Sequence, residues 1–210
     1  MQDWKEINAW RKAERVTLIE RRMRVPLAQR RSWSTVIEGH LDRLIRERAA
    51  RTVGFYWPFK AEFDPRPLIR RLLDDGGHAA LPVVLAPRTP MEFRRWTPDA
   101  EMDVGVYDIP FPKVRDIVLP DLVLAPPVGF DAARYRLGYG GGYFDRTLAV
   151  LQPRPFAIGV GFELGRLTTV YPQPHDLAMD AIARSYLDIH RQHRSAWTWE
   201  LELRPWVENF

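Results

Sequence analysis

No cysteine occurs among the 210 residues, which excludes a disulfide scaffold, a thiolate zinc or iron–sulfur site and a cysteine nucleophile together. No apolar run approaches the roughly 18 residues that a membrane-spanning helix requires. Residues 1–15, MQDWKEINAWRKAER, carry charge where an export signal needs an apolar stretch, so a cytoplasmic location without membrane contact is expected. There is no internal repeat, no low-complexity tract and no Gly-x-Ser-x-Gly turn of the kind that presents a hydrolase serine. A content of 46% hydrophobic and 28% charged residues excludes the disordered class. A chain of this length folds as one domain that buries about 70% of its unfolded surface.

The net charge of +4 is unevenly placed. Residues 1–51 contain 13 Lys/Arg against 7 Asp/Glu, and residues 52–210 contain 18 against 20, so the excess of positive charge sits in the N-terminal quarter. Such a segment can contact nucleic acid, an acidic small molecule or only solvent. The lack of a nucleic-acid motif and the acidic remainder argue against the first, and no nucleic-acid partner is expected. Eight Trp, with Trp197, Trp199 and Trp206 in the last fourteen residues, and 18 Pro complete the unusual features. So many prolines imply many chain reversals in loops.

Residues 4–24 lack Pro and Gly and read as a helix with an untidy apolar stripe, interrupted at Pro26. From Leu27 to about Arg51 a second helix is clearer, because Trp33, Ile37, Leu41, Leu44 and Ile45 recur at helical spacing. Thr52–Trp57 reads as a strand ending at Pro58. Pro65–Asp74 reads as a helix capped by Asp64 and ended by Gly76-Gly77. The apolar run 80–86 has the composition of a strand buried on both faces, with Met91–Trp96 as its partner. Asp121–Ala125 and Phe156–Phe162 are further strands, separated by a helix over Tyr143–Leu151. This alternation predicts an α/β fold: a Rossmann-like three-layer sandwich around a mainly parallel sheet, with an N-terminal helical hairpin and with ligands beyond the carboxyl ends of the strands.

Four glycines within five positions, in Arg136-Leu-Gly-Tyr-Gly-Gly-Gly-Tyr-Phe-Asp-Arg146, lead directly into a helical pattern. Glycine permits positive φ and close approach, and a helix N-terminus turns N–H groups toward an anion. No Lys-Ser/Thr follows, and Tyr143 stands where a dinucleotide fingerprint needs its last glycine. By itself the segment therefore fits either an atypical phosphate loop or a tight turn between a loop and a helix. Arg136 and Arg146 offer planar forks to phosphate oxygens, and Asp145 in the first helical turn offers a carboxylate to a magnesium ion. Taken singly, each is equally at home as surface charge or as a helix-dipole partner. Asp176 and Asp180 are later carboxylates beside strand-like residues, and His175 reads as a loop residue bonded to backbone.

Leu124-Ala-Pro-Pro-Val-Gly-Phe-Asp131 together with the glycine segment resembles the signature of the 5-formyltetrahydrofolate cyclo-ligase family. Arg11-x-x-x-Arg15 with Arg21 and Arg30, Phe55–Asp64 with Glu62, Met91-Glu-Phe93, Ile109-Pro110 and Pro174-His175-Asp176 with Asp180 follow in the family's order, over roughly residues 8–184. The resemblance implies an ATP- and Mg2+-dependent ring closure of 5-formyltetrahydrofolate to 5,10-methenyltetrahydrofolate through a phosphorylated formyl group, with no protein nucleophile. It further implies ATP contacts from Arg11, Arg15, Arg136, Leu137, Gly138, Tyr139, Gly140, Gly141, Gly142, Tyr143 and Phe144. Folate contacts are implied for Trp57, Glu62 and Tyr139 through Tyr143, and magnesium positions for Asp145 and Asp180. Arg11 stands where the family usually has Lys, Phe144 where it has a second Tyr, and Arg184 where Thr is common. The expected organisation is one cyclo-ligase-like domain over residues 1–184 and an unassigned extension over residues 185–210. The default oligomeric expectation is a monomer, and Arg21, Arg22 and Arg24 are candidates to attract a polyglutamate tail on the folate. An ATP-binding relative with a different substrate, or a basic nucleic-acid module with a structural glycine turn, are the alternatives.

Overall fold

A computed structural model describes residues 3–185. Helix α1 spans Trp4–Met23, with the Asp3 side chain accepting from the Lys5 amide at its start. Helix α2 spans Leu27–Glu47 and buries Trp33, Ile37, Leu41 and Ile45, four positions at i, i+4, i+8 and i+12 that form one stripe. Strand β1 (Thr52–Gly54) is shorter than the sequence suggests: the Phe55 amide still donates to the Ala80 carbonyl at 2.9 Å, but Tyr56 and Trp57 lie outside the strand. Helix α3 runs over Arg66–Asp74; Pro65 already has helical φ and ψ, and Asp64 Oδ1 accepts from the Arg66 amide, so the cap is the one the sequence implies. The helix ends at Gly76 with φ +80°.

The remaining elements are β2 (His78–Val83), β3 (Glu92–Trp96), β4 (Met102–Val104), β5 (Pro110–Pro112), β6 (Leu122–Ala125), β7 (Gly129–Phe130), β8 (Arg136–Leu137), α4 (Tyr143–Val150), β9 (Phe156–Phe162) and β10 (Ala181–Ser185). Six strands form one sheet in the order β10-β9-β6-β1-β2-β3. All neighbours pair in parallel except β2 with β3, the antiparallel edge. Two features had no sequence signal strong enough to read: the hairpin of β4 with β5 and the hairpin of β7 with β8. Strands of two or three residues carry too few alternations to show a period. The extension expected from residue 185 onward lies outside the described residues, apart from Ser185, which is buried at the end of β10.

Alternate residues along the strands face opposite layers. Val53, Ala79, Leu81, Leu122, Leu124, Ile158 and Val160 pack with the stripe of α2 and with Leu68 and Ile69 of α3. Ala80, Phe93, Val123, Ala125 and Ala157 face the other way, toward Leu148 and Phe144 of α4. That is the expected three-layer sandwich. The two N-terminal helices follow one another directly but serve different layers. Leu18 of α1 is buried with Val128, Leu137 and Val170, whereas α2 covers the sheet. Among the described residues no helix is long and apolar enough to cross a membrane.

Because β1 is central, with β2 on one side and β6 on the other, the chain reverses its winding between β1 and β6. Their carboxyl ends diverge there, leaving the crevice in which α/β sheets place ligands. Ile37 and Leu41 are fully buried against the sheet, and truncating either to alanine removes transfer free energy and leaves a cavity. Leu41→Ala is expected to lower unfolding stability by about 2–5 kcal/mol, read as a shift in the urea midpoint without loss of the native fold at low denaturant.

Candidate active site

The crevice holds a cavity of about 340 Å³, lined in part by Trp57 and Phe59 after β1, Pro126 after β6, and Val106 and Phe111 from the β4–β5 hairpin. The glycine segment lines it as well, with Gly138, Tyr139, Gly141, Gly142, Tyr143 and Asp145. A volume of this size accommodates a fused heteroaromatic ring system. Residues far apart in sequence reach it because the sheet gathers the ends of β1 and β6, and the β7–β8 hairpin carries the chain across to α4.

Gly140 has φ +97° and Gly142, the residue before α4, has φ +63°, a left-handed backbone in which a side chain is strained. A Cβ on Gly142 would also come within 2.9 Å of Arg146. The Arg146 side chain folds back to donate to the Gly141 carbonyl. Arg15 of α1 donates from Nε to the Gly138 carbonyl at 2.7 Å, and the end of its guanidinium lies beside Gly140. No hydrogen bond from its two terminal nitrogens occurs among the described residues, so they face the loop free for an anion. Burial pulls the Arg15 guanidinium below its usual value, Arg11 adds to that and Asp176 opposes it.

Arg11 is committed differently. Its buried side chain donates from Nε to the Val170 carbonyl at 3.0 Å and from Nη2 to the Tyr171 carbonyl at 2.9 Å and Asp176 Oδ2 at 2.5 Å. Such a fork spreads donors on two nitrogens over three acceptors at once. Arg136 is likewise buried: it pairs with Asp145 at 3.0 Å and donates to the Leu177 carbonyl. Burial lowers its pKa and Asp145 opposes the shift. Arg11 and Arg136 thus brace the loops around the cavity, while Arg15 faces the glycine loop.

The two carboxylates expected at magnesium are not brought together on one wall. Asp145 lines the cavity from the first turn of α4, with Oδ1 accepting from the Leu177 amide and Oδ2 facing Arg136. Asp180 lies where β9 begins, accepting from the Ala157 amide at 2.8 Å and pairing with Arg154 at 3.0 Å. Among the described residues no group of three or more His, Asp or Glu forms a metal cage. His175 is exposed beside Trp4 rather than in the cavity.

Glu62 and Tyr139 meet at the wall near Trp57. The Tyr139 hydroxyl donates to Glu62 Oε1 at 2.5 Å, and the Phe59 amide donates to Oε2 at 2.9 Å. Arg22 of α1 donates to the Tyr139 oxygen at 2.8 Å and stands 3.6 Å from Glu62 Oε1. The Glu62 side chain is only 4% exposed. Burial pushes its pKa above the ordinary carboxylate value, while Arg22, the Tyr139 hydroxyl and the Phe59 amide pull it back. Burial and the neighbouring Glu62 charge push the Tyr139 phenol upward. Of the three arginines named as candidates to attract a polyglutamate tail, Arg22 is enclosed rather than available for that role: it is 5% exposed, with Lys60, Pro127 and Tyr139 supplying acceptors for its fork. The spacing of Arg11, Arg15, Leu18 and Arg22 at i, i+4, i+7 and i+11 was the available signal that one face of α1 points inward.

The sequence profile of the 5-formyltetrahydrofolate cyclo-ligase family matches residues 7–185. The chain belongs to this family. The 5-formyltetrahydrofolate cyclo-ligase of Haemophilus influenzae is 32% identical over 148 residues, which cover 67% of this chain and 79% of that protein. That of Mycolicibacterium smegmatis is 29% identical, covering 79% and 88%. The solved structure of the Aquifex aeolicus 5,10-methenyltetrahydrofolate synthetase superimposes with a TM-score of 0.72 at 25% identity, over 83% of this chain and 89% of that one. The cyclo-ligase fold is therefore the one described above.

Two measurements test the site geometry. Gly142→Ala combines left-handed strain with the Arg146 approach, so it is expected to cost about 1–2 kcal/mol of unfolding free energy, measured by urea titration. Glu62 binds its proton more tightly folded than unfolded, so its contribution to stability is largest at low pH and is lost as pH rises from its unfolded pKa through its raised folded value. Glu62→Gln is expected to flatten that stretch of the stability–pH curve, followed by unfolding midpoints from about pH 4 to about pH 7.

Proposed function

We propose that this cyclo-ligase family member closes the ring of 5-formyltetrahydrofolate to 5,10-methenyltetrahydrofolate, with ATP and magnesium, releasing ADP and phosphate. One observation carries the reading. A single cavity is lined both by Glu62 with its partner Tyr139 and by the glycine loop that opens α4, and Arg15 donates to that loop at the Gly138 carbonyl. An aromatic ring and a polyphosphate can therefore meet in the same crevice.

In this reading the formyl oxygen takes the γ-phosphoryl group of ATP, N10 attacks the activated formyl carbon, and the carbon–oxygen bond breaks as phosphate leaves. Chemistry of this kind rests on positioning and charge neutralisation rather than on a protein nucleophile. The chain's own contributions are correspondingly few. Glu62 accepts from the N–H edge of the pterin, and Trp57 and Tyr143 offer flat ring contacts. Arg15 and the backbone of Gly138–Tyr143 hold phosphate oxygens, with Arg11 and Arg136 keeping the surrounding loops in register.

Magnesium takes hard oxygen ligands and usually keeps waters and phosphate oxygens rather than a cage of side chains. Asp145, on the cavity wall, fits one such contact; the ion would neutralise charge on the triphosphate. Asp180 would join it only if its pair with Arg154 opened. A cytoplasmic monomer acting on free or polyglutamylated folate, without nucleic-acid or membrane partners, completes the reading.

Purified protein mixed with 5-formyltetrahydrofolate and magnesium–ATP is expected to raise absorbance in the methenyltetrahydrofolate band, with no rise when any component is omitted. ATP binding without that rise would point to a relative with another substrate. Asp145→Asn, which keeps an acceptor for the Leu177 amide, is expected to lower kcat at least about tenfold. A folded and fully active Asp145→Asn variant would remove the metal assignment.

A further inference from the structure

Arg22 is a buried cation without a place in the reaction as written. It lies on the inward face of α1, three turns beyond Arg11, and reaches the cavity wall from behind. Nε donates to the Lys60 carbonyl at 3.0 Å, Nη1 to the Pro127 carbonyl at 3.4 Å and Nη2 to the Tyr139 hydroxyl at 2.8 Å. Each of these acceptors belongs to a different segment: the loop after β1, the loop after β6 and the glycine segment.

We propose that Arg22 is a positioning residue for folate recognition, holding the Glu62 carboxylate ionised and the Tyr139 hydroxyl turned toward it. The hydrogen-bond directions follow from the chemistry of the groups. Arginine has donors and no acceptor, so the Tyr139 oxygen accepts from Arg22 and its proton must go to Glu62 Oε1. The Phe59 amide takes a lone pair of Oε2. Lone pairs remain on both oxygens, because an ionised carboxylate has about four acceptor sites. They form an acceptor pair suited to a planar edge carrying two N–H donors, provided the carboxylate is ionised and held in one rotamer.

The groups facing Glu62 come from several elements. Arg22 comes from α1 and Tyr139 from the glycine segment; Tyr56, whose phenol is pushed upward by burial and by Glu62, comes from the segment after β1. Lys60 lines the same cavity, and Asp64 is occupied by Arg66. Arg22 is the cation that stands against the carboxylate. Burial alone favours the protonated acid, and a protonated Glu62 would present one donor to the edge it must accept from. Removing the Arg22 charge therefore raises the pH at which the folate site becomes competent.

The assignment rests on the folate reading above and is tested with the full chain carrying Arg22→Gln, which keeps an amide donor for Tyr139 but no charge, and Arg22→Lys, which keeps charge without the fork. In free protein labelled with carbon-13 at glutamate carboxyls, with the Glu62 signal identified by its loss in Glu62→Gln, the Glu62 titration is expected at higher pH in Arg22→Gln than in wild type. It is expected near the wild-type position in Arg22→Lys. In turnover, Arg22→Gln is expected to raise the KM for 5-formyltetrahydrofolate about tenfold or more, to move the acid limb of kcat/KM upward, and to leave the KM for ATP within about twofold. An unchanged Glu62 titration, or equal losses toward folate and ATP, would overturn the proposal. If Arg22→Gln does not fold, Arg22→Lys decides: the fork's loss is expected to raise the folate KM several-fold, and an unchanged value overturns it. Wild-type protein that makes no methenyl product would instead defeat the folate reading, while the carboxylate titration would still show whether Arg22 governs Glu62.

Discussion

The inward face of α1 ties together loops that the sheet alone would leave independent. Arg11 holds residues 170–176, Arg15 holds the carbonyl of Gly138, and Arg22 joins Lys60, Pro127 and Tyr139. Burying a guanidinium is costly unless its donors are satisfied, and here the acceptors are mostly main-chain carbonyls. The cation and the loop thus need each other. Only when the helix is docked, with Leu18 among Val128, Leu137 and Val170, do the walls of the cavity have fixed positions.

That dependence explains the economy of the site. The sheet supplies a crevice through its strand order, a property of the topology rather than of any one side chain. The arginines then tie the connections into a shaped surface, and in the proposed reading few groups are left to meet ligands: the terminal nitrogens of Arg15, the remaining lone pairs of Glu62 and Asp145, and the rings of Trp57 and Tyr143. The proposed phosphoryl transfer would ask for little more, since catalysis of that kind is mainly alignment and charge.

The same geometry separates residues that the sequence presents as equals. Arg11 and Arg15 stand four residues apart on one helix face, yet the first is enclosed by acceptors and the second faces the glycine loop. Asp145 and Asp180 both neighbour apolar segments, but one opens α4 at the cavity and the other sits where β9 begins, paired with Arg154. Arg136 looks like a free fork beside the glycines and is in fact closed by Asp145 and the Leu177 carbonyl. Spacing along the chain measures which face a residue shares, while the partners on that face are set by segments elsewhere in the chain, as Val170 is for Arg11 and Gly138 for Arg15.

Local regularity determined much of this protein. The period of α2, the apolar runs of β2, β6 and β9, the Asp64 cap, the double glycine after α3 and the glycine turn into α4 all follow from short-range sterics and from periodic burial, which neighbouring residues encode by themselves. The family signature is likewise local, because it rests on contiguous residues. The untidy stripe of α1 could not be interpreted that way: its inward face carries three arginines, and an apolar period cannot reveal a buried face made of charge. Tertiary structure alone decided which guanidinium groups are enclosed, placed the β4–β5 hairpin over the cavity and brought Arg22 to Glu62. Those outcomes depend on hydrogen-bond acceptors delivered by distant loops, and no local pattern in the sequence records where a distant carbonyl will point.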